Sequence, residues 1–129
     1  MVTFLTPALK SPSGSYSLVN DRTGVPIVTE LEIAVDSATR RKGLLGRDSL
    51  AETTGIVIAP TNAVHTFFMR FPIDIVFVTR AGRVLKVRHS VPARRIAIAL
   101  RAFAVVELAA GCAARRGLCP GDVVSVRPA

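Results

Sequence analysis

The chain has 129 residues, a length that suits one folded domain and leaves no room for two. Half of the residues are apolar and a fifth are charged, which excludes a disordered chain and predicts a packed core. No apolar run reaches the roughly 18 residues that cross a bilayer, and the first residues do not resemble a secretion signal. We therefore expect a cytoplasmic protein without membrane insertion. That compartment keeps most thiols reduced, and whether Cys112 and Cys119 pair stays open.

Basic residues outnumber acidic ones by 17 to 9, and the excess is concentrated between residues 70 and 101. That stretch holds eight lysines and arginines against Asp74 alone. Such a surface could attract nucleic acid or an acidic protein. No phenylalanine, tyrosine or tryptophan lies between Phe77 and Phe103 to stack on a base. We expect a solvated surface that does not bind nucleic acid at physiological salt, and an acidic protein partner stays open.

The first predicted elements, in chain order, are a tail, a hairpin and a helix. Residues 1–15 end in a stretch rich in proline, serine and glycine, which predicts a loose N-terminal tail. Tyr16–Val19 and Val25–Val35 are predicted to pair as a hairpin, because the second segment alternates and turn residues separate the two. Residues 36–46 predict a short helix, capped by Asp36 or Ser37 and ended by Gly46.

The rest of the chain is predicted to be mainly strand. Alternation or short apolar runs indicate six further strands, at residues 57–58, 64–69, 73–79, 84–91, 103–108 and 123–126. Ala81 and Gly82 predict a tight turn, and residues 112–118 predict a second short helix. The fold class is therefore mainly β, a compact β-sandwich or partly closed barrel with one or two short helices. Residues 16–129 are expected to form it as a single domain.

Several ordered motifs resemble those of the bacterial DUF192 family. Residues 40–47, RRKGLLGR, are similar to that family's R-x-x-G-L-M-x-R signature. The other similar segments are HTFFMR at 65–70, PIDIVF at 72–77, ELAAG at 107–111 and PGD at 120–122. Leu45 and Phe68 stand where the family usually has Met and Trp. The resemblance runs from residue 16 to residue 127 and implies a compact, mainly β domain of a family without an established function.

Asp74 lies on an otherwise apolar strand, where an isolated charge would be costly to bury. A guanidinium is a natural partner, because it can donate two parallel hydrogen bonds to a carboxylate. We predict that Arg47 or Arg70 clasps Asp74. Glu107 lies on a second apolar strand, and if the two carboxylates were close they could act as general acid and base.

The aromatic segment 65–70 is a second source of candidate site residues. In strand alternation, His65 shares one face with Phe67, and Phe68 shares the other face with Arg70. One face would pack into the core. The other could line a groove, in which Phe68 supplies apolar area and Arg70 a polar contact.

These considerations give six candidate ligand-binding residues, Arg47, His65, Phe68, Arg70, Asp74 and Glu107. We favour a non-catalytic domain that binds a small polar ligand, a sugar or a peptide end. The alternatives are a metal-independent hydrolase or isomerase that uses Asp74 and Glu107, and an electrostatic adaptor for an acidic partner. Two distant histidines and a Cys-x6-Cys pair match no metal site, and no phosphate-loop, dinucleotide or nucleophile-elbow motif is present. We therefore expect no metal and no cofactor.

Overall fold

A computed structural model describes residues 2–129, apart from the side chain of Arg41, and most of the regular structure in them is strand. The helices of this part are α1 (Thr6–Lys10), α2 (Ser37–Lys42) and α3 (Cys112–Arg115). The strands are β1 (Tyr16–Asn20), β2 (Pro26–Val28), β3 (Glu30–Ala34), β4 (Thr54–Ile58), β5 (Ala63–His65), β6 (Ile73–Val78), β7 (Val84–Val91), β8 (Ile96–Ile98), β9 (Ala104–Ala109) and β10 (Val124–Pro128).

The strands form three sheets. A three-stranded antiparallel sheet has the order β10-β1-β2, and a five-stranded sheet has the order β3-β4-β9-β6-β7. Only the β3–β4 pair of the larger sheet is parallel. β5 and β8 pair separately as an antiparallel ribbon. The predicted mainly β class is confirmed, in a sandwich-like form with no closed barrel among residues 2–129.

The five-stranded sheet is covered on both faces, which is why β6 and β9 are buried along their whole length. On its first face Val106 belongs to a core shared with Leu18 of the three-stranded sheet. On its second face Phe77 belongs to another core, which includes Leu44 after α2 and Ala97 of β8. The segment around α2 and the β5–β8 ribbon therefore cover the second face.

The segment before Tyr16, expected as a loose tail, is packed instead. It contains α1, and Phe4, Leu5 and Ala8 are buried in the core between the two larger sheets. The apolar side chains at the start of this segment outweigh the proline and glycine that follow, because burying them stabilises the ordered chain. Met1 of the predicted tail lies outside the described residues.

The predicted hairpin and first helix form with different boundaries. β1 pairs with β2 as expected, but the segment Val25–Val35 divides at Thr29, and β3 joins the other sheet. α2 begins after Asp36, whose Oδ1 accepts the Thr39 N–H at 2.8 Å. The helix ends at Gly43 rather than Gly46, because Gly43 already takes a positive φ of 44°.

Candidate functional site

Asp74 is fully buried on β6, and backbone N–H groups bind its carboxylate. Its Oδ1 accepts from Ser90 at 2.8 Å and from Gly111 at 3.2 Å, and its Oδ2 accepts from Ala113 at 2.9 Å. The predicted arginine clasp is therefore wrong for this residue. Backbone donors satisfy the carboxylate as a guanidinium would, and a strand sequence does not reveal which loops will approach it. Asp74 ties β7 and the start of α3 to the larger sheet.

Arg47, Arg70 and Phe68 lie away from Asp74. Arg47 donates to both carboxylate oxygens of Glu32, at 2.6 and 2.9 Å, and this pairing lowers the pKa of Glu32. Arg70 donates to Asp48 at 2.6 Å on the exposed surface. Phe68 is 84% exposed in a turn with a φ of 67°, because β5 ends at His65. The predicted strand over residues 64–69, with its two alternating faces, is therefore wrong beyond His65.

An arginine clasp does exist, at a different carboxylate. Asp122 is buried, and Arg22 donates to its two oxygens at 2.7 and 3.1 Å. Asn20 and the backbone N–H of Cys119 donate to the same carboxylate, at 3.0 and 2.9 Å. These donors hold the pKa of Asp122 far below its usual range, chiefly through the Arg22 hydrogen bond. Asp122 thus links the β1–β2 turn to the turn before β10.

Glu107 faces the opposite side of the larger sheet from Asp74. In the β6–β9 ladder, Asp74 lies opposite Leu108 and Glu107 lies opposite Ile75. Leu108 belongs to the core on the first face and Ile75 to the core on the second face. Because directly opposed residues share a face, the sheet itself separates the two carboxylates. The predicted pairing of Asp74 and Glu107 as acid and base is therefore wrong.

Glu107 is also the least satisfied of the buried carboxylates. Its side chain is only 7% exposed, yet no described residue donates a hydrogen bond or an ion pair to it. Burial raises the pKa of Glu107 to about 7. A Cβ on Gly43 would lie 3.7 Å from its Oε1, so the missing side chain there leaves this carboxylate uncovered. Glu107 lies in the lining of a cavity above the second face.

That cavity has a volume of about 410 Å³ and is open to solvent. It lies between the α2 segment on one side and the end of β4 with β5 on the other, with Glu107 of β9 in its lining. Apolar side chains form much of the wall, namely Leu44, Leu45, Ile58, Pro60, Val64 and Met69. Polar side chains complete it, namely Ser37, Arg40, Lys42, Thr61 and His65. A cavity of this size that combines apolar side chains with polar groups able to orient a ligand is compatible with a small-molecule site.

Two of the six predicted candidates, His65 and Glu107, line this cavity. Arg47, Phe68, Arg70 and Asp74 do not belong to its lining. Sequence reasoning missed the contributions of Arg40 and Lys42, although both lie within the signature at residues 40–47. The signal that could have identified these two residues as cavity-lining is their position on either side of Gly43. At this glycine the backbone approaches the buried side chain of Glu107.

The family model DUF192, described as an uncharacterized ACR, matches residues 18–126. The chain belongs to the DUF192 family. No curated protein matches it.

Two crystal structures resemble this DUF192 chain. A protein of unknown function from Novosphingobium aromaticivorans DSM 12444 is 28% identical, with a TM-score of 0.74 over 86% of this chain and 83% of that one. A Sinorhizobium meliloti 1021 protein, provisionally described as a transcription regulator, is 23% identical, with a TM-score of 0.76 over 88% and 92% of the chains. The second likeness shows the fold alone. In the described residues of this DUF192 chain, every helix is too short to cross a membrane.

The segments that carry the DUF192 resemblance serve two purposes in the structure. Asp74 and Asp122 hold loops through saturated hydrogen bonds. The signature at 40–47, the segment beginning at His65 and the segment beginning at Glu107 meet instead at the cavity. Three stretches that are far apart in sequence thus build one concave surface.

Proposed function

We propose that the chain is a domain that binds a small polar ligand in the cavity lined by Glu107. The observation that carries this proposal is the contrast between Glu107 and the other buried carboxylates. Asp74 and Asp122 accept three or more hydrogen bonds each, whereas no described residue donates one to Glu107. A buried polar group without a protein partner is rare in folded proteins and is a common sign of a functional site.

The composition of the cavity supports a role in ligand binding rather than a cavity without function. Leu44 and Ile58 offer apolar contact, while Thr61 and His65 add groups that can orient a ligand. Glu107 would then exchange its poor solvation for a hydrogen bond from the ligand, which favours the bound state. A hydrolase or isomerase that uses Glu107 and Asp74 together is less well supported, because Asp74 faces the other side of the sheet.

The test is a screen of the full ¹⁵N-labelled chain against a library of small polar compounds, monitored by amide correlation spectra. We expect hits whose shifts concentrate on Gly43, Leu44, His65 and Glu107. Ala63 is an exposed residue of the cavity lining, so Ala63→Trp should fill the opening and abolish these shifts. Ala114→Trp, at an exposed alanine outside the lining, is the matched control and should bind as the parent does.

Three results would contradict the proposal. One is a library that produces no shifts at the cavity, and another is a set of hits that map to the opposite face of the sheet. The third is undiminished binding by Ala63→Trp when that variant retains the parent spectrum elsewhere.

A further inference from the structure

The charges around the cavity are unbalanced. Among the described lining side chains, Arg40 and Lys42 are cationic and Glu107 is the acid. With His65 neutral, these groups carry one positive charge when Glu107 is ionised and two when it is protonated. The whole chain, these groups included, has a formal net charge of +8. A ligand with a net negative charge therefore matches the cavity in either state, and the surrounding field attracts it.

The group that meets Glu107 must be a hydrogen-bond donor when this carboxylate is ionised and an acceptor when it is protonated. A hydroxyl meets both requirements, since it has one donor hydrogen and two acceptor lone pairs. Both forms of Glu107 are populated near neutral pH, because burial raises its pKa to about 7. An ammonium group pairs only with the ionised form, and Arg40 and Lys42 oppose its entry.

We propose that the cavity binds a small hydroxylated anion, a sugar acid or a sugar phosphate, an inference that rests on the proposed function. Its hydroxyls bond to Glu107 and Thr61, and its carboxylate or phosphate lies on the side of Arg40 and Lys42. The apolar wall, which includes Leu45, covers the C–H surface of the ligand.

The test compares matched pairs of sugars by titration of the full ¹⁵N-labelled chain. D-galacturonate is compared with D-galactose, and D-glucose 6-phosphate with D-glucose. We expect at least one acid to shift the amides of Gly43 and His65 and to bind at least tenfold more tightly than its neutral partner. If D-galacturonate binds more tightly than D-glucose 6-phosphate, the preferred anionic group is a carboxylate, and the reverse order indicates a phosphate.

Variants separate a specific site from general attraction to a basic protein. Lys42 is exposed, so Lys42→Gln should retain the fold while weakening the acid severalfold and leaving the neutral sugar unchanged. Lys10→Gln removes the same charge from an exposed lysine outside the lining and should change neither affinity. Equal weakening by both variants would overturn the inference, because it would indicate nonspecific attraction.

Two further outcomes would overturn the inference in distinguishable ways. If D-galactose, D-glucose or the zwitterion glutamine shifts the same amides as strongly as the acids, the ligand class is wrong but the binding function stands. If neither these probes nor any library compound shifts the amides at the cavity, the inference and the proposed function both fail.

Discussion

Asp74, Asp122 and Glu107 show how differently three buried carboxylates can be accommodated in one small protein. Asp74 is held by backbone N–H groups, and Asp122 is held mainly by a guanidinium. The Arg22 guanidinium favours the ionised form of Asp122, because it donates hydrogen bonds to a negative charge. Glu107 receives no such support from the described residues, so desolvation alone shifts its pKa, and it shifts upward. The position of the donors therefore separates the carboxylates that hold the fold from Glu107, the one that we propose binds a ligand.

Asp74→Asn is expected to destabilise the protein by about 3 kcal/mol, because the amide presents an N–H₂ group to backbone donors and leaves one of them unsatisfied. Chemical denaturation measures the loss. Arg47→Ala and Arg70→Ala serve as comparisons, and double-mutant cycles should give coupling energies to Asp74 near zero. Strong coupling to either arginine would contradict the backbone clasp.

Glu107 should make the protein less stable as the pH rises. Its pKa is raised in the folded state, so between about pH 4 and pH 7 the folded chain retains a proton that the unfolded chain releases. Stability should fall across that window, by about 3 kcal/mol for a shift of this size, and level off above it. Glu107→Gln should remove the slope and be the more stable protein at pH 8, measured by urea denaturation. A slope that persists in the variant would exclude Glu107 as its source.

At the scale of elements, the short helix α2 forms one wall of the cavity and depends on its caps. With only six residues it has little intrinsic stability, so Asp36 at its start and Gly43 at its end matter more than propensity. Asp36→Ala should destabilise the helix and speed amide hydrogen exchange in Ser37–Lys42. Amides of β6 should be unaffected. Equal acceleration in β6 would show that the cap supports the whole fold rather than this wall.

The link between the β1–β2 turn and the turn before β10 should fail in acid. The pKa of Asp122 is depressed in the folded state, so its contribution is present above the ordinary aspartate pKa of about 3.9 and is lost as the pH falls below it. Thermal unfolding should therefore shift to lower temperature in acid, and Asp122→Asn should be destabilised at pH 7. Asp48→Asn, which breaks an exposed pair with Arg70, should have little effect. An unchanged melting temperature for Asp122→Asn would contradict the clasp.

Periodicity predicted the larger elements because a strand that is buried on one or both faces must carry regularly placed apolar side chains. It identified β1, β6, β7, β9 and β10, and it indicated α2 and α3. It missed α1 and β8, because these elements are too short to show a regular spacing of apolar residues. It also could not divide Val25–Val35 between two sheets, because both halves have the same alternation.

The candidate site was predictable only in part, for a related reason. A strand sequence shows that Glu107 is a carboxylate among apolar neighbours, but the same pattern holds for Asp74. What separates the two is the set of loops above each face of the sheet. Those contacts join residues that are far apart in the chain, such as Gly111 and Asp74. The local spacing of residues in the sequence therefore cannot predict them.

At the scale of the whole molecule, the excess of positive charge is a property of the surface. Part of the basic stretch is already engaged, since Arg70 pairs with Asp48 and the guanidinium of Arg80 lies 5.0 Å from the centre of the Phe103 ring. We expect no sub-micromolar binding of single-stranded or duplex DNA at about 0.15 M salt, measured by fluorescence anisotropy. Tight binding that weakens steeply with salt would instead assign this surface to nucleic acid.

The carboxyl group of Glu107 determines whether the cavity is a binding site or merely a gap in the surface. Its pKa can be measured directly by following the side-chain carboxyl carbon in NMR spectra of the ¹³C-labelled full chain across a pH titration. A buried carboxyl that receives no hydrogen bond from the described residues should titrate near pH 7, where burial places its pKa. A titration at or below the ordinary glutamate value of about 4.3 would show that Glu107 is already paired or well solvated, and would contradict its assignment as the ligand-binding group.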